Sequence, residues 1–264
     1  MLEALLFALI ASSSIAIGGA LGAYWKPPEP VLAGLLAFGA GMLISALAFD
    51  LFAEAVELGG ELRSGLSLLG GAAVFVVLDT LLEHRTGKRP RTMARANALK
   101  TGKRSMAASP EDGAGASAVS MPKAGASTGL ALLLGAILDG VPENLALGVS
   151  LVDDASVALI VAIFVSNLPE ALVGAVDMRE GGMQPRSVVL VWAGCAALLT
   201  LAVLAGRGLL AGADGTTLAV PLAFAGGAVI AALTSAILPE AFRFGGAWIA
   251  LATAAGFFAS VVLA

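Results

Sequence analysis

The sequence predicts an all-α polytopic membrane protein: eight transmembrane helices, arranged 3+2+3 with inverted repeats. Three observations carry this. Of the 264 residues, 58% are hydrophobic and only 13% charged, with a mean hydropathy of +0.93. That balance excludes an ordinary soluble domain. Eight apolar runs are long enough to span a bilayer or nearly so: about 4–24, 31–56, 64–84, 128–151, 156–178, 187–209, 217–241 and 246–264. Finally, residues 36–55 align with 222–241 at an offset of 186, with nine of twenty positions identical. The matches include Phe38-x-x-Gly41 with Phe224-x-x-Gly227, and Glu54-Ala55 with Glu240-Ala241. Copies five spans apart run in opposite directions. Inverted repeats with broken helices at the centre are the pattern of secondary transporters, whose substrate sits near the midplane.

Taken in order, the first run follows Met-Leu-Glu, with no basic residue before it. It is read as a retained span rather than a cleaved signal peptide. Lys26-Pro-Pro-Glu-Pro30 makes a rigid break before the second run. Asp153-Asp154 separates runs four and five, and Gly212-Ala-Asp-Gly215 separates six and seven. The single cysteine, Cys195, lies in an apolar run, so no disulfide framework is expected.

The long connector is 85–127. It holds nine Lys/Arg and two acids, against a net charge of −4 for the whole chain. It has too few apolar residues to fold alone and reads as a flexible basic cytoplasmic loop. Its basic residues also suit anionic lipid; nucleic acid is not an expected partner. With this loop inside, Lys26, Arg179, Arg186 and Arg243 fall inside as well. Thirteen basic residues are then cytoplasmic and two, Arg63 and Arg207, external. Both termini face out, and the inner (plasma) membrane is the expected location. The chain divides into 1–84 (helices one to three), the loop 85–127, 128–180 (central helices four and five) and 181–264 (helices six to eight).

The chemistry concentrates in Leu138-Asp-Gly-Val-Pro-Glu-Asn-Leu-Ala-Leu-Gly148 and its echo, Ser166-Asn-Leu-Pro-Glu-Ala171. In each, a polar residue stands four before a glutamate, on the same helix face. In each, a proline precedes that glutamate, and its missing N–H frees the carbonyl four residues back, Leu138 and Val165. Ionisable groups inside a span are tolerated mainly where they face a partner, an ion or water. Pairing the two helices antiparallel lets Asp139, Glu143, Ser166, Asn167 and Glu170 converge. The donors are all oxygens, which suits a divalent cation. Buried carboxylates repel one another unless a cation or shared proton compensates, and neither central span contains Lys or Arg. The plainer reading is that the prolines kink the helices and the acids bond to nearby backbone. Two inverted copies weigh against it.

Pro142-Glu143 followed by Leu-Ala-Leu-Gly, with Pro169-Glu170 in the next span, resembles the ZIP family of divalent metal transporters. The resemblance extends to Leu-Phe-Ala-Glu-Ala in span two, Leu-Leu-Glu-His in span three and Leu-Pro-Glu-Ala in span seven. It implies eight spans, both termini outside, a cytoplasmic loop after span three and a binuclear centre between helices four and five. By resemblance, Asp139, Glu143, Ser166 and Glu170 take the first metal position, and Glu143, Asn167 and Glu170 contribute to the second. The chain departs from the family pattern in four places. Asp139-Gly140 stands where His-Asn is usual. Ser166 replaces a His or Gln, and Asn167 an acid. Ala197-Leu198 stands where the sixth span commonly carries Glu-Pro. These harder ligands move the expected substrate from Zn²⁺ toward Mn²⁺, Fe²⁺ or Mg²⁺, although zinc also accepts carboxylates.

The sequence therefore points to a divalent metal transporter, not an enzyme, with Zn, Fe or Mn as substrate. The bilayer is its environment, and a homodimer is left open. The alternatives are a degenerate relative carrying protons or another small solute, and a non-transporting membrane protein. An intramembrane hydrolase lacks its usual signatures. Asp50 and Glu54, four apart in span two, suit either an access route or the interface. Asp79, His84, Asp177 and Glu240 have interfacial or structural readings at least as good as functional ones. Gly18-x-x-x-Gly22 and Gly70-Gly71 are expected to allow close helix packing.

Overall fold

The structure, a computed structural model, describes residues 2–85, 126–151, 156–210 and 212–264. The expected all-helical class is what it shows. Among the described residues we number α1 (Leu2–Tyr24), α2 (Glu29–Gly59), α3 (Glu61–Arg85), α4 (Ala126–Ser150), α5 (Val157–Glu180), α6 (Pro185–Leu209), α7 (Gly215–Gly245) and α8 (Ile249–Leu263). Most of the basic loop, 86–125, lies outside the described residues, as do Asp153-Asp154 and the side chains of Glu83, His84 and Asp139.

Six stretches among the described residues are long and apolar enough to cross a membrane. One of them, Gly215–Leu263, is 49 residues long. As one straight helix it would reach roughly 74 Å, more than twice the ~30 Å hydrocarbon core. Gly246, at φ 71°, breaks it into α7 and α8. α4 is not among the six.

Local chemistry sets the ends. Pro28 stands at the N-cap of α2 and Pro30 in its first turn, where a missing N–H breaks no helical bond. Ser156 caps α5 by accepting from the Leu159 N–H at 3.1 Å. Asp214 caps α7, accepting from the Thr217 N–H at 3.2 Å and the Thr216 hydroxyl at 2.7 Å. Contrary to the expectation of broken central helices, α4 and α5 stay helical through Pro142 and Pro169.

The repeat offset of 186 recurs in the backbone. α2 contains a π-helical turn at Leu47–Phe52, and α7 one at Leu233–Ile237. Their first residues are 186 apart. So are the left-handed glycines that end the two helices, Gly60 (φ 80°) and Gly246. A residue in either conformation with a Cβ would be strained.

Packing repeats it again. A Cβ on Gly41 would lie 1.9 Å from the Thr253 carbonyl oxygen, and one on Gly256 1.9 Å from that of Phe38, so α2 and α8 touch through their backbones. α7 and α3 do the same: Gly227 meets the Leu68 oxygen and Gly71 the Phe224 oxygen, each at 1.9 Å. Gly227 and Phe224 are the residues aligned with Gly41 and Phe38. Of the Gly70-Gly71 pair only Gly71 packs closely; Gly70 faces open space. Gly18 and Gly22 of α1 bring α5 close, their Cβ positions 2.2 and 2.4 Å from the Leu168 and Leu172 oxygens. Gly206 of α6 meets the Leu145 oxygen of α4 at 2.2 Å. Leu172 follows Leu145 by 27 residues, the separation of Glu170 from Glu143. Lipid tails are as apolar as leucine, so close packing of small residues rather than hydrophobic expulsion holds such helices together.

Two groups of helices result. α1 packs on α5 and α6, and α4 on α5 and α6; α2 packs on α8 and α7, and α3 on α7. They meet where α2 lies on α5 and α4 on α7. The main core crosses this join and includes Leu43, Leu147, Ile163 and Leu222. A second core surrounds Trp192, which is fully buried against Gly19. Leu62, Leu66 and Leu69 of α3, and Leu251 and Phe258 of α8, point outward, as in a protein whose solvent is hydrocarbon.

Candidate metal centre

Pro142 and Pro169 each lie inside a helix, one residue before a glutamate. Each removes the N–H that would bond to the carbonyl of Leu138 or Val165. Around these points the polar residues turn inward. Glu143 is 3% exposed, Ser166 3% and Asn167 5%. Glu170, one helical turn beyond Ser166, is half-buried.

The two helices are joined at this level. Asn167 Nδ2 of α5 donates to Glu143 Oε2 of α4 at 3.5 Å. With its NH₂ turned to the carboxylate, Asn167 keeps its amide oxygen as an acceptor. The Ser166 hydroxyl donates to the Ile163 carbonyl at 3.1 Å, leaving its oxygen lone pairs to accept. Gly39 of α2 admits α5 here: a Cβ on it would lie 2.6 Å from Ser166 Cα. The join between the helix groups therefore passes directly behind the serine. Of the five residues expected to converge, the structure links Glu143 and Asn167 and buries Ser166 beside them. The Asp139 side chain is outside the described residues. Among the described residues, no three His, Cys, Asp or Glu side chains gather at one point.

Sequence reasoning passed over Asn144. It is fully buried, and its Nδ2 donates to the Gly140 carbonyl at 2.8 Å. This bond spans Pro142 and braces the turn that carries Glu143. The signal was present: an asparagine four residues after a glycine, next to the key glutamate.

The flanking acids sort themselves. Asp50 falls within the π-helical turn of α2 and is hydrogen-bonded to the Ser156 hydroxyl, tying α2 to the start of α5. At the other end of α5, Glu180 forms an ion pair with Lys26 from the α1–α2 connector. That hydrogen bond and charge raise the Lys26 pKa, with smaller help from Glu29 and Asp177 and against a small effect of burial. Arg179 reaches from α5 to the Ala23 carbonyl at 3.1 Å and also bonds Met183. Asp177 thus sits among charges at the helix end rather than in the bundle interior.

Buried Glu143, Ser166 and Asn167, a proline before each central glutamate and a helical repeat at an offset of 186 now stand together. The model of the ZIP zinc transporter family matches residues 2–263. The chain belongs to the ZIP family. No curated protein matches it. Membership makes it an integral membrane protein of a divalent-metal transporter family. In this ZIP chain Glu143, Asn144, Ser166 and Asn167 are the buried polar residues of the α4 and α5 proline turns.

Proposed function

We propose that this ZIP chain carries a divalent cation toward the cytoplasm through a site made by Glu143, Glu170, Ser166 and Asn167, with Asp139 from the turn above. The observation that carries this reading is the burial of the Glu143 carboxylate at the α4–α5 contact. An ionised carboxylate held inside a bundle is a functional group by default, because its desolvation needs compensation. A divalent cation supplies that charge, and the glutamates and freed carbonyls replace its water. The all-oxygen donor set favours Mn²⁺, Fe²⁺ or Mg²⁺, with Zn²⁺ also accepted by carboxylates.

Transport follows from the two helix groups. α4 and α5 hold the site and pack with α1 and α6. Sliding this group along α2 and α7 would expose the site first on one side of the membrane and then on the other. At Gly39 the two groups touch through their backbones. The basic loop 85–127 on the cytoplasmic side and both termini outside complete the orientation.

The test is cation uptake into proteoliposomes. The Glu143→Ala/Glu170→Ala double variant should show none, for any of the four metals. Unchanged metal flux would sink the proposal. Flux that follows pH and ignores metals would instead identify a proton or solute carrier.

A further inference from the structure

Beside the proline turn of α4, that helix, α3 and α7 enclose a cavity of about 340 Å³. Its walls include Gly71, Val74 and Phe75 of α3, Leu138 and Pro142 of α4, and Ala228 of α7. Among the described residues that line it, none has a polar or charged side chain. Phe75 and Ala228 are buried, whereas Val74 and Leu78 on the rim are 44% and 41% exposed. The cavity is thus continuous with the outward apolar surface of α3, where Val76, Val77 and Leu81 are also exposed. α3 is among the helices long and apolar enough to cross a membrane, and an exposed apolar surface on such a helix suits hydrocarbon. Gly71, Val74 and Phe75 fall near the middle of α3, and Leu138 and Pro142 near the middle of α4. The opening therefore lies at the depth of hydrocarbon tails, away from headgroups.

We infer that this cavity binds the acyl chain of a membrane lipid, seated between the α3–α7 pair and the proline turn of α4. Water is a poor occupant, because a buried water needs two to four polar partners. An empty cavity forfeits the dispersion contacts of its lining. The volume lies at the lower end of the usual range for small-ligand pockets, about 300–1,000 Å³, which suits part of one tail. The recognition is of hydrocarbon, so the site is indifferent to the headgroup. The chain would rest against Leu138, whose carbonyl Pro142 frees, and on both helix groups at once. It would fill the join just behind the Glu143 turn.

The test uses the full-length protein in liposomes containing a phosphatidylcholine with a diazirine midway along one acyl chain. After irradiation, adducts are mapped by peptide mass spectrometry. They should concentrate in 71–78 and 137–142, above other lipid-facing stretches such as 62–69 and 251–262. Ala228→Leu, which fills the cavity, and Val74→Trp, which obstructs its rim, should each reduce labelling of Gly71, Phe75 and 137–142 to the level of 62–69 and leave labelling at 251–262 unchanged. The rim variant keeps the test usable if the buried one fails to fold. Even labelling over the whole outer surface, or adducts at Gly71, Phe75 and 137–142 that survive both substitutions undiminished, would overturn the inference. So would occupancy by a small apolar solute such as benzene without lipid adducts. Because the readout is lipid contact, it does not depend on which solute the protein carries.

Discussion

Asn167 on α5 donates its amide N–H to the carboxylate of Glu143 on α4, across 3.5 Å in a setting where both side chains are almost wholly buried. This side chain–side chain bond couples the two central helices at the level of their prolines.

Asn167→Ala removes a donor to a charged group, an interaction that contributes about 1.5–3 kcal/mol. Under the proposed function, cation affinity should weaken by roughly ten- to a hundredfold, read as the concentration giving half-maximal uptake. Asn167→Asp should act the other way at neutral pH, because it adds a fourth anionic donor for a divalent ion. A hydrogen bond of purely structural importance would instead lower the thermal midpoint in both variants without changing metal preference.

Gly39→Ala tests the contact behind Ser166. The added Cβ would lie 2.6 Å from Ser166 Cα, which backbone cannot accommodate without moving. Overpacking of this sort costs about 1–3 kcal/mol. The variant should melt at a lower temperature in detergent and lose uptake. Gly135→Ala in α4, where the Cβ meets open space, should leave both measurements unchanged.

The pseudo-symmetry makes a paired prediction. Gly41→Ala and Gly227→Ala each place a Cβ 1.9 Å from a carbonyl oxygen of the facing helix. Their losses of thermal stability should be similar, although the residues are 186 apart. The double variant should be nearly additive, since the two contacts share no partner. A large loss at only one of them would show that the repeat is not an energetic equivalence.

At the start of α7, bonds from Thr217 and then Thr216 lower the Asp214 pKa below its ordinary 3.8. A carboxyl whose pKa is depressed by folding binds protons more readily when unfolded. Its stabilisation is therefore present above about 3.8 and disappears as pH falls through the lower, folded value. Asp214→Asn keeps a capping side chain but cannot titrate. Denaturant titrations between pH 5 and 2 should show a shallower loss of stability for this variant than for the parent protein.

Much of this was legible in one dimension. Hydropathy alone is enough for the class, because a bilayer leaves a long apolar segment little choice but a helix. The offset of 186 was visible in Phe38, Gly41 and Glu54 and their counterparts. The structure extends it to the π-helical turns and to the backbone conformation of Gly60 and Gly246, which residue identity alone does not reveal. Gly70 and Gly71 are chemically identical and adjacent, yet only Gly71 meets the neighbouring helix. Rotation about a helix axis decides that, and rotation depends on the partner. Asp50 and Glu54, four apart, invite a shared-face reading that assumes regular α geometry; the π-helical turn alters it and sends Asp50 to Ser156.

The sequence by itself determined the helical class, the repeat and the family resemblance, and it nominated candidate residues for a cation, since each rests on residue type and spacing along a chain whose periodicity is known. Only the tertiary structure decided that Asn167 meets Glu143, that Asn144 braces the proline turn, and that Gly39 lets α2 press against Ser166. Those relationships join residues far apart in the chain or set by local twist. They depend on where helix backbones can approach, which is a property of packing in three dimensions.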